Sequence, residues 1–471
     1  MKPKKNFVGP QLRQLRRDHR QTQAEMARAL GLSPAYVNLL ENNQRSLSVQ
    51  VLMRLSEVYG VDWRDIIKDD GPTKLADLRN ALQDPVFGRS RPDLEELRAG
   101  LDHCPTLAQS LLVLHKSYRQ LTERLMSATS GQQAAANLFD QSPETVVHDL
   151  FRAHRNHFEG LERAAETIAA EEITARDEIY SLMKGVLDRR LGIEVAVVPV
   201  TAMPTALRYY DEQEKRLLLS EGLDHQNRVF QLAHVLGLLL LREEIDGLIA
   251  DAGIGPGRAQ ARCRVELANY FAAAMLMPYT PFVGEADASG YDIDHLAARF
   301  GASFEQVCHR LTTLQRDGAH GVPFFFMRID KAGNVTKRFN ATSFQLAQYG
   351  GACPRLDIHV SFRVPGRIIP QFVEMPDGSR YFTMNRTVDR PVLGRQTQDN
   401  RLAVSLGCAI EHAPKLTYAE PFQLGDAGLF TPTGINCRLC PRLNCAQRAH
   451  QPVHLELPID EHRRGETRFE S

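Results

Sequence analysis

The sequence predicts a multidomain protein with a mainly α-helical N-terminal half, an α+β middle domain and a β-rich C-terminal domain. Three observations carry this. Up to about residue 190 the apolar residues recur at helical spacing; from 192 strand-like runs alternate with helices; the last third carries hairpin turns. A length of 471 residues suits about three domains. Apolar residues make up 43% and charged ones 24%, the balance of a globular chain in water.

Residues 8–17, 22–30 and 34–41 read as short helices, followed by 47–59 and 63–67. Met26, Ala27 and Leu30 share one face of the second, Gly31-Leu32 makes a tight turn, Ser33 caps the third and Pro34 takes its first position. The chain as a whole is neutral, so attraction to nucleic acid needs a local patch. Residues 1–50 supply one: nine Lys/Arg stand against Asp18, Glu25 and Glu41, hence +6. A helix offered by its N-terminal edge after a tight turn suits the DNA major groove.

The stretch TQAEMARALGLSPAYVNLLENNQRSLS resembles the phage-repressor-like (XRE) helix-turn-helix family. The resemblance implies a homodimer on an inverted-repeat operator in double-stranded DNA. It places Gln23 at the phosphate backbone and Ser33, Ala35, Tyr36 and Asn38 on the groove-facing edge, with Asn38 reading a base. Arg45 would sit beside a phosphate.

This module takes residues 1–70. Residues 71–190 read as a helical linker or dimerisation region, with Leu107, Leu111 and Leu114 on one stripe. The middle domain, 191–322, opens with two strands at 193–200 and 206–219. Helices follow at 224–241, at 262–276 up to Met277-Pro278, at 293–300 and at 304–316. The first two, RVFQLAHVLGLLLL and VELANYFAAAMLMP, resemble the helix pair of the IrrE/ImmA zinc peptidases. In that family the first helix carries H-E-x-x-H, and a glutamate on the second completes the metal site. His234 and Glu266 match the first histidine and that glutamate, but Val235 replaces the base and Leu238 the second histidine. A catalytic zinc needs about three protein ligands and a base for its water. No catalytic residue is therefore assigned, and the chain is not expected to be an enzyme. His234 reads as a buried histidine on the wall of a former substrate cleft that still has room for a small ligand.

The C-terminal domain, 323–471, has strands at 324–329 and 335–339 around Asp330-Lys331-Ala332-Gly333-Asn334, and a second hairpin at Pro376-Asp377-Gly378. GINCRLCPRLNCAQRAH places Cys437, Cys440 and Cys445 in a C-x2-C-x4-C run, with Cys408 upstream. Such thiolates can converge on zinc or an iron–sulfur cluster, and Arg438, Arg442 and Arg448 favour the thiolate form.

Together with the two earlier modules, LGCAIEHA and the cysteine run are similar to the short-chain fatty acyl-CoA regulator family, which includes regulators of propionyl-CoA carboxylase and of the methylcitrate cycle. The resemblance implies a transcription factor that senses a short-chain acyl-CoA, propionyl-CoA or acetyl-CoA, and favours a 4Fe–4S cluster over zinc on Cys408, Cys437, Cys440 and Cys445. An acyl-CoA needs cations for its phosphates and a small apolar pocket for its acyl group. Arg208, Tyr209, Tyr210, Arg216, Arg228, His234, Tyr270 and Phe271 are the candidates. An active peptidase and an iron–sulfur redox sensor are the competing functions. No apolar segment follows the basic Met1–Lys5, and residues 229–241, interrupted by Gln231 and His234, are too short to cross a bilayer. A cytoplasmic protein without membrane contact is expected.

Overall fold

The computed structural model describes residues 9–42, 44–45, 47–60, 71–82, 84–87, 92–128, 142–173, 178–344, 351–391, 400–452 and 462. The chain divides into two compact units, Met1–Gln120 and Leu121–Ser471.

The first unit opens with α1 (Gly9–Asp18), α2 (Gln23–Leu30), α3 (Pro34–Glu41) and α4 (Val49–Tyr59). The helix expected at 63–67 lies outside the described residues. Thr22 and Glu25 close a capping box on α2, Gly31 leaves it at φ 63°, and the Ser33 hydroxyl accepts from the Tyr36 N–H to start α3. Leu12, Met26, Leu30, Val37, Leu40 and Leu55 fill the core between these helices. Beyond them, α5 (Gly71–Leu82), α6 (Leu94–His103) and α7 (Pro105–Ala128, running past Gln120) meet through Leu78, Leu97 and Ala108. The expected stripe is split: Leu111 packs beside Ala108, whereas Leu107 and Leu114 are exposed.

The second unit begins with α8 (Pro143–Ala153), α9 (Glu159–Glu172) and α10 (Ile179–Leu191). These helices belong to the middle domain physically: α8 and α9 pack on its long central helix, and α8 also meets the large sheet. Residues 71–190 are thus divided between the two units and do not form one linker. The small sheet has β1 (Glu194–Val198), β2 (Arg208–Asp211) and β3 (Arg216–Ser220) in the order β1-β3-β2, with β1 parallel and β2 antiparallel to β3. The single strand expected over 206–219 is a hairpin, because the Asp211 carboxylate accepts from the N–H groups of Gln213 and Glu214 and turns the chain.

Next come α11 (His225–Leu240), α12 (Arg242–Asp251), α13 (Arg258–Leu276), α14 (Tyr279–Ala288), α15 (Ile293–Phe300) and α16 (Phe304–Leu311). Helix α16 ends earlier than expected, where the Thr312 and Thr313 hydroxyls donate back to the carbonyls of His309 and Arg310. Helices α11 and α13 approach closely at Gly237, where an added Cβ would lie 2.3 Å from Cδ1 of Phe271. Gly237→Ala is therefore expected to lower stability by about 1–3 kcal/mol, because the buried ring has nowhere to go; an unchanged denaturation midpoint would refute the close fit.

The large sheet comprises β4 (Phe325–Ile329), β5 (Val335–Asn340), β6 (Ile369–Glu374), β7 (Arg380–Asp389), β8 (Arg401–Ala409) and β9 (Thr431–Pro432), in the order β5-β4-β8-β7-β6-β9. Both expected hairpins, β4–β5 and β6–β7, are present. One face, with Val404, Leu406 and Cys408, packs into the main core shared with the helices; the other, with Phe325, Ala403 and Tyr381, covers Cys353 and Leu356.

Candidate DNA-reading edge, ligand cleft and thiol loop

Ser33, Ala35 and Asn38 lie exposed at the start and along one side of α3, and Tyr36 is half-buried against the core. Ser33 also serves as the helix cap, so its hydroxyl is already engaged. Gln23 on α2 donates to Glu41 at 2.8 Å and lies 3.4 Å from the Asn38 oxygen, which also accepts from Asn42. The Asn38 oxygen is thereby occupied, on a residue that is exposed on α3. Arg45 is exposed beyond the helix end.

Glu41 plays a part the sequence reading missed. It is 2% exposed, and its carboxylate is gripped by Arg16 at 2.5 and 3.1 Å. Burial opposes its ionisation, yet hydrogen bonds from Arg16 and Gln23 and the charge of Arg13 hold it below the usual carboxylate range. Arg13 donates to the Glu41 carbonyl and to Asn42. Two of the nine basic residues counted toward the DNA-facing patch are therefore structural.

The eight expected ligand residues separate into three groups. On β2, Arg208 and Tyr210 share the inward face with Leu217 and Leu219, whereas Tyr209 points out with Arg216 of β3, which pairs with Glu194 at 3.4 Å. Tyr270 and Phe271 are core residues, a correction to the ligand assignment. The Tyr270 hydroxyl donates to Glu162 at 2.6 Å and accepts from the Phe158 N–H, and Phe271 fills the space against Gly237. That leaves Arg208 and Tyr210 on the inward face of β2, His234 on α11 within reach of the Arg208 charge, and Arg228 near the start of α11, donating to the Glu221 carbonyl at 2.8 Å.

Three of these have buried nitrogens with no partner among the described residues: Nη1 of Arg208, Nε of Arg228 and Nδ1 of His234. Burial pulls the Arg208 guanidinium below its ordinary range, with no carboxylate among the described residues offsetting it. Burial, helped by the Arg208 charge and opposed by Glu266, pushes the His234 imidazole down to about 3. A neutral histidine beside an uncompensated cation suits an incoming anion. A separate cleft of about 380 Å³, lined by Ala169, Ile173, Met275 and Pro281, includes none of the eight.

The zinc that the IrrE-like helix pair implies does not fit this chain. Val235 is 1% exposed in one apolar cluster and Leu238 packs against another, so of the three motif positions on α11 only His234 offers a ligand. Both oxygens of Glu266 are already taken, Oε1 by Arg262 at 3.0 Å and Oε2 by Lys337 at 3.1 Å and Asn269 at 3.2 Å.

In the C-terminal domain the thiol set differs from the expected one. Cys408 is fully buried on the β8 face opposite the one that covers Cys353, and its neighbours are apolar. Cys353 takes its place beside Cys440 and Cys437. Burial pushes the Cys353 thiol up, the Arg355 and Gly434 N–H groups oppose this, and the neighbouring thiols add to it. Gly434 lies so close that an added Cβ would sit 2.7 Å from the Cys440 sulfur. The Ala449 N–H donates to the Cys437 sulfur at 3.5 Å. Arg442 and Arg448 brace the loop by donating to backbone carbonyls, Arg442 to Thr433 and Glu374 and Arg448 to Cys437 and Arg442, while Arg438 is exposed. Among the described residues no three His, Cys, Asp or Glu side chains converge closely enough to share one metal ion. The donors nonetheless fit an iron–sulfur group in kind: several thiols, N–H groups aimed at sulfur and a small-residue cradle. No sequence signal singles out Cys353: its Cys-Pro dipeptide recurs at Cys440-Pro441 but also at Cys104-Pro105, far from the loop.

A helix-turn-helix unit followed by an IrrE-type domain and a β-rich region that shares its core and ends in a thiol-bearing loop defines a DNA-binding transcriptional regulator. Family models match a helix-turn-helix at residues 12–66, the IrrE N-terminal-like domain at 188–312 and the short-chain fatty acyl coenzyme A regulator C-terminal domain at 313–469. The chain is similar to the propionyl-CoA carboxylase regulator of Cereibacter sphaeroides, 38% identical over 98% of both chains. It is similar also to the HTH-type transcriptional regulator PrpR of Mycobacterium tuberculosis, 36% identical over 97% of this chain and 94% of that one. A solved Mycobacterium tuberculosis transcriptional regulator matches 70% of this chain and all of its own, with a TM-score of 0.66 and 36% identity. The chain belongs to the short-chain fatty acyl-CoA regulator family. Among the described residues no helix is long and apolar enough to cross a membrane.

Proposed function

We propose that this regulator senses a short-chain acyl-CoA, propionyl-CoA or acetyl-CoA, in the cytoplasm and adjusts transcription of genes for short-chain fatty acid and propionate metabolism. Family membership and the relative described as a propionyl-CoA carboxylase regulator support the effector class. The observation that carries the reading is the buried, unpartnered Arg208 nitrogen beside His234, a cation waiting for a phosphate or carbonyl oxygen. A homodimer on DNA is supported by the outward row of Leu107, Leu114 and Tyr118 on α7, which share one side of the helix at spacings of two turns and one. Cys353, Cys437, Cys440 and Cys445 would hold a 4Fe–4S cluster, with zinc the alternative; when bound it would add redox or iron sensitivity. That thiol loop supports the second reading, a cluster-based redox sensor. The loss of base and second histidine at Val235 and Leu238 speaks against a peptidase.

The deciding experiment is thermal unfolding of anaerobically purified protein against a panel of acyl-CoAs. At a hundredfold excess over Kd the effector adds about 2.7 kcal/mol to stability. Arg208→Met is expected to weaken that binding about tenfold. No stabilisation by any acyl-CoA ends the reading, and operator affinity that follows cluster loading alone favours the redox sensor. Separately, Asn38→Ala is expected to reduce operator affinity about tenfold, the value of one good base contact, with folding unchanged; a gel shift with equal affinity would remove Asn38 from the reading edge.

A further inference from the structure

We propose that Lys337 is a built-in cation that takes the metal's place at the degenerate peptidase site, and that through Glu266 it clamps the edge strand of the large sheet onto helix α13. Glu266 is 3% exposed within an apolar helix pair, and a carboxylate there needs a facing positive charge. Helix α11 no longer offers a ligand set, since only His234 remains. The charge is supplied from elsewhere in the fold. Arg262 reaches Oε1 from the same helix but is itself largely exposed. Lys337 reaches Oε2 from β5, the outermost strand of the large sheet, and is mostly covered. Its ammonium lies 5.2 Å from the centre of the Phe339 ring, two positions along the same face of β5. Phe339 in turn packs edge-on against buried His309 at 4.3 Å. The ammonium is thus held by a carboxylate, an aromatic face and the wall of α16, the surroundings of a fixed internal ion.

The test restores the missing ligand and then removes the ammonium. Cobalt(II) is titrated into full-length Leu238→His protein and into Leu238→His/Lys337→Met protein, with visible absorption as the readout. A site of nitrogen and oxygen ligands lacks the thiolate charge-transfer band that cobalt at the cysteines would give. The nitrogen–oxygen site is expected at least tenfold tighter when Lys337 is absent. Equal affinity in the two proteins, or no such site in a folded double variant, overturns the proposal. Thermal unfolding of Lys337→Met, Glu266→Gln and their combination tests the clamp without metal. Lys337→Met is expected to lower Tm, and adding Glu266→Gln to recover part of that loss. Strictly additive losses would show that the two groups do not act as a pair.

Discussion

Arg310→Met is expected to cost about 3–5 kcal/mol of folding stability, the largest loss of any single substitution considered, because it strands a buried carboxylate. The Arg310 guanidinium and the Glu162 carboxylate are both fully buried and joined at 2.5 and 2.9 Å. Arg310 also donates to the Met277 carbonyl at 2.9 Å and the Thr313 hydroxyl at 3.0 Å, and Glu162 accepts from Tyr270. Every polar group of the pair is satisfied, so α9, α13 and α16 are held at one point. Replacing both partners, Glu162→Met with Arg310→Met, is expected to recover much of the loss, since the charge and its counter-charge leave together. Urea denaturation measures both. A single variant within about 0.5 kcal/mol of wild type would contradict the burial of Glu162.

Acidification from pH 6.5 to 4.5 is expected to destabilise the second unit steeply, with His234 and His309 each contributing a slope approaching 1.4 kcal/mol per pH unit. Burial pushes both imidazoles down to about 3, aided by Arg208 for His234 and by Lys337 for His309, with Glu266 opposing in each case. The sign follows from proton counting. Unfolded histidines bind protons near 6.5 while the native ones do not, so the unfolded state holds more protons in this window and gains as pH falls. Below pH 4.5 Glu266, held at about 2 against burial by Lys337 and Arg262, adds a loss of the same sign. His234→Gln should flatten the slope between pH 6.5 and 4.5 by up to one proton's worth in urea melts at several pH values. An unchanged slope would mean that His234 is already charged in the native protein.

The sequence disclosed best what is written locally. Ser33-Pro34, Asp224 and the turns at 330–334 and 376–378 each start or reverse an element through their own side chains or glycines, and each lies where it was expected. The hairpin at 211–215 was missed because its turn, Asp-Glu-Gln-Glu-Lys, holds no glycine; Lys215 adopts φ 47° instead. Long-range pairing was out of reach altogether. Nothing near Glu41 announces that Arg16, 25 residues earlier, will cancel it, and nothing near Glu266 announces Lys337. Cys408 and Cys353 illustrate the limit most directly. The alternation of faces along β8 turns the Cys408 thiol into the core, whereas Cys353 reaches the opposite face from an irregular segment ahead of β6.

The family-model boundary near residue 188 is where sequence likeness to other IrrE-type domains begins, but it is not where the folded core becomes separable. Cutting there would strip Tyr270 and Phe339 of their Phe151 and Phe158 partners and leave Arg310 without Glu162. The smallest fragment able to stand alone therefore has to start before Ser142, ahead of α8. Helices α8 and α9, although outside the matched segment, line the core of the IrrE-like domain, so neither part keeps its apolar surface covered without the other.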